Sequence, residues 1–150
     1  MVLMKTKIKK YLKELIGFIV VLAIVSNIVS FYRSSDLHVN NTICEGGSDI
    51  VYIWGTWCPV CKVQSPNIEF LSHYYKVKTI VVSSGSDQDI QKYLQKNNFS
   101  FQFINDENAT LTRKNGVKVF PTIVTCKDKK VYYADVGYTS TVGLLLRLWL

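Results

Sequence analysis

The sequence predicts a layered α/β domain with a basic, apolar segment in front of it. The chain has 150 residues, which is a usual length for one domain. Apolar residues make up 48% and aromatic residues 13%, and this composition excludes a disordered or collagen-like chain. From residue 49 onward, short β-branched runs alternate with helical patterns, which is typical of a sheet covered by helices.

The segment in front of the domain predicts a transmembrane anchor. Residues 1–14 form a basic tail with five lysines and one glutamate, and residues 15–32 are 18 consecutive residues without a charge. As a helix, this run would span about 27 Å, close to a hydrocarbon core of about 30 Å. Lysines before a span keep the N-terminus in the cytoplasm. We expect a single-pass inner-membrane (cytoplasmic-membrane) protein, with a linker at 33–48 leading into a periplasmic or otherwise extracytoplasmic domain at 49–150.

This segment has one alternative interpretation. A cleaved signal peptide is the alternative to an anchor, although the run is longer than a usual signal sequence and no clear A-x-A-like site follows it.

The net charge of +7 arises mostly in the basic tail, because 13 basic and 10 acidic residues are interspersed over residues 33–150. This distribution excludes a nucleic-acid-binding surface.

A strand, a helix and a second strand open the domain. Ile50–Trp54 is a short apolar run suited to a buried strand, and Val77–Val82 is a second, β-branched run. Between them, the residues from Pro59 to about Tyr75 have helical spacing, interrupted at Pro66. The apolar face of this helix is predicted to comprise Val63, Ile68, Leu71 and Tyr75.

The middle of the domain predicts two helices on either side of a strand. Asp87–Asn97 has a helical pattern, capped by Ser86 or by its own first residue. Ser100–Ile104 is a strand candidate, and Asn108–Asn115 is a short helix closed by Gly116.

The last third of the domain predicts a hairpin and a helix. Thr122–Cys126 and Lys130–Val136 are strands around a turn at 127–129, and Thr139–Leu148 is the final helix. The apolar positions of that helix are Val142, Leu145, Leu146 and Trp149.

The chemistry is indicated by a C-x-x-C motif between the first strand and the first helix. Cys58 is placed at the helix N-cap and Pro59 at the first helical position, where proline loses no hydrogen bond. Free amide groups and the positive end of a helix stabilise a thiolate, which lowers the pKa of Cys58. Cys61 lies one turn later on the same face, within reach of a mixed disulfide on Cys58. The spacing therefore predicts a nucleophilic thiol and a resolving thiol.

Metal binding is the alternative use of these cysteines. One C-x-x-C can be half of a zinc site completed by Cys44 and Cys126, but these two lack the paired spacing of a zinc knuckle. A copper(I)-binding module is the other alternative, since soft thiolates suit that ion. We predict no metal and no cofactor beyond the Cys58–Cys61 disulfide.

The motifs resemble those of the thioredoxin superfamily over about Asp49–Leu150. They are W-C-P-V-C-K at 57–62 followed by Pro66, then V-F-P-T at 119–122, then V-G at 136–137. The resemblance implies a thioredoxin-like fold in which Pro66 kinks the active-site helix.

The same resemblance implies roles for residues around the cysteines. Pro121 would be a cis-proline facing Cys58, and such bonds are uncommon enough to be positioned features. The backbone before it would pair with substrate like an added strand, which assigns Phe120 a docking role. Trp57 would shield the Cys58 thiolate.

The chain has a helix and a strand at about Ser86–Ile104 that a minimal thioredoxin does not need. These extra elements indicate one subgroup of the superfamily. They resemble the insertion of the TlpA/ResA group of membrane-anchored, extracytoplasmic thioredoxin-like proteins. W-G-T-W-C-P-V-C at 54–61 and G-Y-T-S at 137–140 are most similar to ScsD-type proteins, which are linked to copper tolerance. The likeness implies a protein disulfide reductase acting on exported proteins, with electrons from a DsbD/ScsB-like membrane protein. Reduction of the apocytochrome c cysteines before haem attachment and net oxidation are the alternatives.

One residue departs from the superfamily pattern. Thioredoxins have a buried aspartate six residues before the first cysteine, and Tyr52 occupies that position here. A tyrosine with a pKa near about 10 is a poor base at neutral pH, so proton transfer needs another route. His38 and His73 are interpreted as surface residues.

We predict a structural role for the other two cysteines, Cys44 and Cys126. By the likeness, the strand after Pro121 runs antiparallel to Ile50–Trp54 and carries Cys126 about 17 Å from the active site. Cys44 precedes the neighbouring strand at the same end. We hypothesise a structural Cys44–Cys126 disulfide, with two buried free thiols as the alternative.

Overall fold

The computed structural model describes residues 9, 11–18, 20, 21, 24, 25, 28 and 38–149. The chain divides into two units, residues 1–32 and 33–150. In the first unit the described residues are helical and exposed. None of the helices formed by the described residues has the length and apolar character to cross a bilayer. The rest of the predicted anchor at 15–32, and residues 33–37 of the predicted linker, lie outside the described residues.

The second unit is built on a five-stranded mixed sheet with strand order β3-β2-β1-β4-β5. The strands are β1 Ile50–Trp54, β2 Val77–Val82, β3 Phe103–Asp106, β4 Thr122–Lys127 and β5 Lys130–Val136. β1 pairs in parallel with β2 and antiparallel with β4. Of the outer strands, β3 is parallel to β2, and β5 is antiparallel to β4. All five residues of β1 are buried, as expected for a central strand covered on both faces.

Four α-helices accompany the sheet: α1 Pro59–Ser72, α2 Asp87–Lys96, α3 Thr110–Lys114 and α4 Thr141–Trp149. A 3-10 helix at Asn41–Cys44 precedes β1. α2 begins with a capping box, in which Ser86 accepts from the Asp89 amide and the Asp89 carboxylate accepts from the Ser86 amide.

The two faces of the sheet bury two separate apolar clusters. On one face, the alternate β1 side chains Ile50, Tyr52 and Trp54 pack with α1, α2 and α4. Val51 and Ile53 point to the other face. There they join Ile43, Cys44, Val117, Val124 and Ala134. The central strand thus fixes which helices lie on each side.

Most predicted elements are confirmed, with small changes at their ends. The strands predicted at Ile50–Trp54, Val77–Val82 and Lys130–Val136 have the predicted bounds. Three of the helices are shorter than predicted by one to three residues in total, and α4 begins two residues later and ends one residue later than predicted. The 3-10 helix lies in the range assigned to the linker, and Ile43 and Cys44 within it are buried.

The strand predicted at Ser100–Ile104 is wrong in its position. The observed strand, β3, begins three residues later, at Phe103. The carboxylate of Glu69 on α1 accepts hydrogen bonds from the Ser100 and Phe101 amides at 2.8 and 3.3 Å. These amides are therefore held by a helix and not by a neighbouring strand.

The predicted apolar faces of two helices are also wrong in part. Val63 of α1 is 64% exposed, whereas Gln64 and Ser65 beside it are buried. On α4 the buried side chain is Leu144, and three predicted apolar positions are exposed, namely Val142, Leu146 and Trp149. Arg147 of α4 pairs with the buried Asp135 of β5 at 2.8 Å, and this ion pair fixes the rotation of the helix.

Candidate active site

Cys58 lies where β1 passes into α1. Its amide donates to the Gly55 carbonyl at 3.1 Å, closing the turn, and Pro59 occupies the first helical position. Cys58 is the N-cap residue, and its Sγ accepts a hydrogen bond from the Cys61 amide at 3.2 Å. The residue types explain this geometry, since proline loses nothing at the first helical position and a sulfur can accept from a free amide.

Cys58 and Cys61 form a disulfide in this structure, with their Cα atoms 5.2 Å apart. Cys58 is 4% exposed and Cys61 is fully buried. After reduction, the thiolate of Cys58 would face the same amide and the positive end of α1, and both favour the charged form. The arrangement suits thiol–disulfide exchange with Cys58 as the more accessible sulfur.

Trp57 covers the turn before Cys58. Its indole Nε1 donates to the Val82 carbonyl at 3.0 Å, which ties the turn to the end of β2. Its ring meets that of Phe120 edge to face, with centroids 5.8 Å apart. The indole lies against Gly55, where an added Cβ would be 2.6 Å from Nε1. Gly55 is thus required for this position of Trp57.

The loop before β4 supplies the other side of the site. The Phe120–Pro121 bond is cis, and the Pro121 carbonyl accepts from the Gly137 amide at 2.9 Å. Phe120 is half-buried and packs against the cluster that contains both cysteines. The structure therefore places Phe120 against both Trp57 and the cluster that contains Cys58 and Cys61, and the cis bond directly follows Phe120.

Two buried hydroxyls lie beneath the cysteine pair. Tyr52 Oη donates to the Cys61 carbonyl at 3.0 Å, and Ser65 Oγ donates to the same carbonyl at 2.8 Å. Burial raises the pKa of Tyr52 above its ordinary value, and the hydrogen bond with Ser65 offsets only part of that effect. Sequence reasoning noted Tyr52 but missed Ser65. The available signal was a serine four residues after Cys61 and directly before Pro66.

The two histidines lie on the surface. His38 is exposed, and His73 is exposed beside Glu69, with its Nε2 3.6 Å from the carboxylate. Neither has a contact with the cysteine pair among those found for the described residues. Within that part of the chain there is also no group of three His, Cys, Asp or Glu side chains suited to hold a metal ion.

Cys44 and Cys126 form a second disulfide, with Cα atoms 5.7 Å apart and a sequence separation of 82. Cys126 is near the end of β4, and Pro121 precedes the start of that strand. The bond joins the 3-10 helix to the sheet at the end away from the cis-proline. It is the pairing that the sequence hypothesis describes.

Comparison with known sequences gives one family. Residues 46–131 match the family described as thioredoxin-like. A thioredoxin-like protein of Haemophilus influenzae is 30% identical over 95% of this chain and 96% of its own length. Sporulation thiol-disulfide oxidoreductase A of Bacillus subtilis is 26% identical, over 65% of this chain and 61% of its length. Thiol-disulfide oxidoreductase ResA of Halalkalibacterium halodurans is 27% identical, and the chain spans about half of it, 48%.

Comparison with solved structures gives the same fold. StoA of Bacillus subtilis superposes with a TM-score of 0.55 at 21% identity, covering 67% of this chain and 79% of that chain. A secreted disulfide oxidoreductase of Mycobacterium tuberculosis gives a TM-score of 0.57 at 19% identity, covering 67% and 78%. At these identities the likeness is one of fold.

Proposed function

The chain belongs to the thioredoxin-like family of thiol–disulfide oxidoreductases, and we propose that it reduces disulfides of exported proteins with Cys58 and Cys61 while anchored in the cytoplasmic membrane. The observation that supports these roles most directly is the hydrogen bond from the Cys61 amide to Cys58 Sγ at the start of α1. After reduction this contact would favour the Cys58 thiolate, which supports Cys58 as the nucleophile. Cys61, fully buried one turn later, is the resolving thiol.

The proposed reaction transfers two electrons from the enzyme to the substrate. The Cys58 thiolate attacks one sulfur of a substrate disulfide, which breaks the substrate S–S bond and releases the other substrate sulfur as a thiolate. The Cys61 thiolate then attacks Cys58 Sγ and releases the second substrate thiolate. The two substrate thiolates take up the protons lost by Cys58 and Cys61, so the products are one enzyme disulfide and two substrate thiols.

Substrate docking is assigned to the rim formed by Trp57, Phe120 and the backbone before Pro121. Trp57 is 53% exposed and Val119 is 48% exposed, so an apolar surface lies open to solvent beside the cysteines. An extended substrate segment would pair with the backbone at Phe120 in the manner of an added strand.

Membrane tethering rests on the uncharged run at residues 15–32 and the lysines that precede it. The described residues of this run are helical, and their apolar side chains are exposed; Leu15, Ile16 and Phe18 are more than half exposed. Contiguous apolar surface of this kind is unfavourable in water and favourable in lipid. The Cys44–Cys126 disulfide supports an oxidising, extracytoplasmic location, since such bonds are rare in the cytosol.

A reductase in an oxidising compartment needs a supply of electrons. We assign this role to a DsbD/ScsB-like membrane protein that carries reducing equivalents from the cytoplasm. Two anchors in one membrane would raise the effective concentration of each partner for the other. The proposed clients are disulfide-containing exported proteins, and the motif resemblance to ScsD-type proteins supports a role linked to copper tolerance.

The direction of the reaction is tested by the redox state of Cys58 and Cys61 in growing cells. Acid quenching, alkylation and peptide-resolved mass spectrometry would read both cysteine pairs in one sample. We expect a largely reduced Cys58–Cys61 pair beside a fully oxidised Cys44–Cys126 pair, which serves as the internal control for the compartment. A Cys58–Cys61 pair as oxidised as the control pair would contradict a reductase and favour an oxidant.

A further inference from the structure

The peptide groups on both sides of Cys61 are held in place. Its N–H donates to Cys58 Sγ at 3.2 Å, and its carbonyl accepts from Tyr52 Oη at 3.0 Å and Ser65 Oγ at 2.8 Å. The two hydroxyl oxygens are themselves 3.1 Å apart, so two protons are shared among three contacts. All of these groups are buried, which makes an unmade hydrogen bond costly.

The position of this hydroxyl pair along α1 explains why it matters. Pro66 lies inside the helix and has no N–H, so the Lys62 carbonyl loses its usual helical partner. The helical hydrogen bonding is therefore interrupted just after the turn that carries Cys61. Tyr52 belongs to the central strand β1 and stacks on Trp54, with ring centroids 5.8 Å apart. Through its hydrogen bond to the Cys61 carbonyl, Tyr52 connects the first turn of α1 to the central strand of the sheet.

We propose that Tyr52, together with Ser65, is a positioning residue that keeps the Cys61 amide directed at Cys58 Sγ and so stabilises the Cys58 thiolate. This inference rests on the proposed function, in which Cys58 is the nucleophile. Tyr52 acts as a neutral, fixed dipole and not as a base, because burial holds its pKa above the ordinary value. The position that carries an acid in thioredoxins here carries a group that orients a backbone amide.

Removing the Tyr52 hydroxyl leaves the charged side chains around the pair in place. Besides the Cys58 and Cys61 thiols, the charged and titratable side chains on the elements around the pair include Lys62 and Glu69 of α1, Tyr93 of α2, Lys118, Asp135, Tyr138 and Arg147. Lys62 and Lys118 are exposed, Tyr93 packs on Trp54, and Asp135 pairs with Arg147. Replacing Tyr52 with phenylalanine keeps each of these charges and the stacked ring.

The test is the pH profile of alkylation of Cys58 in the reduced full-length protein, read at the Cys58 peptide by mass spectrometry. In Tyr52→Phe we expect the apparent pKa of Cys58 to rise by about half a unit, which slows alkylation about threefold below that pKa. Ser65→Ala should move the profile in the same direction, and the double variant should move it by less than the sum because both hydroxyls hold one carbonyl.

Ser72→Ala is the matched control. Its hydroxyl donates to the Glu69 carbonyl at 2.7 Å near the far end of the same helix, so its loss should leave the Cys58 profile unchanged. A Cys58 profile in Tyr52→Phe and Ser65→Ala that equals that of the wild type would overturn the inference and leave Tyr52 a purely structural residue. If Tyr52→Phe does not fold, Ser65→Ala alone decides. An ordinary thiol pKa for Cys58 in the wild-type protein would instead contradict the proposed function.

Discussion

At the scale of single residues, the contact between Gly55 and Trp57 sets the shape of the site next to Cys58. The indole of Trp57 donates to the Val82 carbonyl from a position against Gly55, and a Cβ at residue 55 would be 2.6 Å from its Nε1. Trp57 is half exposed, so the ring has solvent to move into. A methyl group at residue 55 therefore displaces the tryptophan and does not disrupt the fold.

We predict that Gly55→Ala weakens substrate turnover more than stability. The displaced indole loses one hydrogen bond, which costs about 1 kcal/mol of unfolding free energy, while reduction of a test protein such as insulin slows severalfold. Steady-state rates and urea unfolding measure the two effects. Trp57→Ala is the comparison variant, and both substitutions together should slow the reaction no more than Trp57→Ala alone. A further loss in the combined variant would show that Gly55 acts through something other than Trp57.

The residues that sequence reasoning located and those it missed differ in the range of their contacts. Cys58 and Pro59 could be placed because N-cap and first-turn preferences are local. Ser65 was missed although it directly precedes Pro66, since its importance depends on a tyrosine thirteen residues away on another element. The apolar partner of Trp57, Phe120, could be found only through the family likeness, because nothing in local spacing joins residues so far apart.

At the scale of elements, α3 depends on one carboxylate. Asp106 at the end of β3 accepts from the Leu111 and Thr112 amides at 3.1 and 2.8 Å, and also from the Thr112 hydroxyl. Burial alone would raise the pKa of Asp106, but these hydrogen bonds outweigh it and hold the pKa below the ordinary value. A five-residue helix cannot stabilise itself, so this cap holds it against the sheet.

We predict that Asp106→Asn loses about 1 kcal/mol of unfolding free energy at pH 7, the difference between charged and neutral hydrogen bonds. Because the folded pKa is depressed, the contribution of the carboxylate is complete above the unfolded pKa of about 3.9 and disappears as the pH falls through the folded pKa. Denaturant unfolding between pH 7 and pH 2 should therefore show the two proteins converging in acid.

Asp128→Asn is the control for that experiment. Asp128 lies in the exposed turn between β4 and β5 with φ at 53°, a conformation that asparagine also adopts. This substitution should leave stability within about 0.5 kcal/mol of the wild type at every pH. A gap between wild type and Asp106→Asn that persists at pH 2 would contradict the role of the charge.

The positions of the helices and strands could be predicted from the sequence more closely than the side of each helix that is buried. Runs such as Ile50–Trp54 are apolar, short and rich in β-branched residues, a pattern that favours a buried strand. The rotation of α4 was not predictable, because it depends on an ion pair between Arg147 and Asp135 on another element. The start of β3 was likewise decided by Glu69 on α1, which captures two amides that the sequence pattern assigns to a strand.

At the scale of the whole molecule, the Cys44–Cys126 disulfide joins the start of the folded unit to the sheet. The bond closes a loop of 82 residues, and Cys44 is fully buried. Because the constraint on the unfolded chain grows with loop length, such a bond is worth about 4 kcal/mol. The Cys58–Cys61 bond, with a sequence separation of 3, constrains very little.

We predict that replacing both Cys44 and Cys126 with alanine lowers the unfolding free energy by about 4 kcal/mol and leaves thiol–disulfide exchange intact under conditions where the variant is folded. The Cys58→Ser/Cys61→Ser protein is the matched control and should keep its stability while losing all activity. Urea unfolding with and without reductant measures the unfolding free energy of both variants. An equal loss of stability in the two proteins would show that the small bond also holds the fold together.

The central claim is that Cys58 attacks and Cys61 resolves, and the Cys61→Ser variant tests it most directly. Without a resolving thiol, the full-length protein should accumulate as a mixed disulfide in which Cys58 is bonded to an exported protein, and reductant should release it. Mass spectrometry of the trapped peptide identifies the bonded sulfur. Adducts at Cys58 that are absent from Cys58→Ser/Cys61→Ser are the result we predict. Adducts on Cys44 or Cys126, or undiminished insulin reduction by Cys58→Ser, would contradict the mechanism.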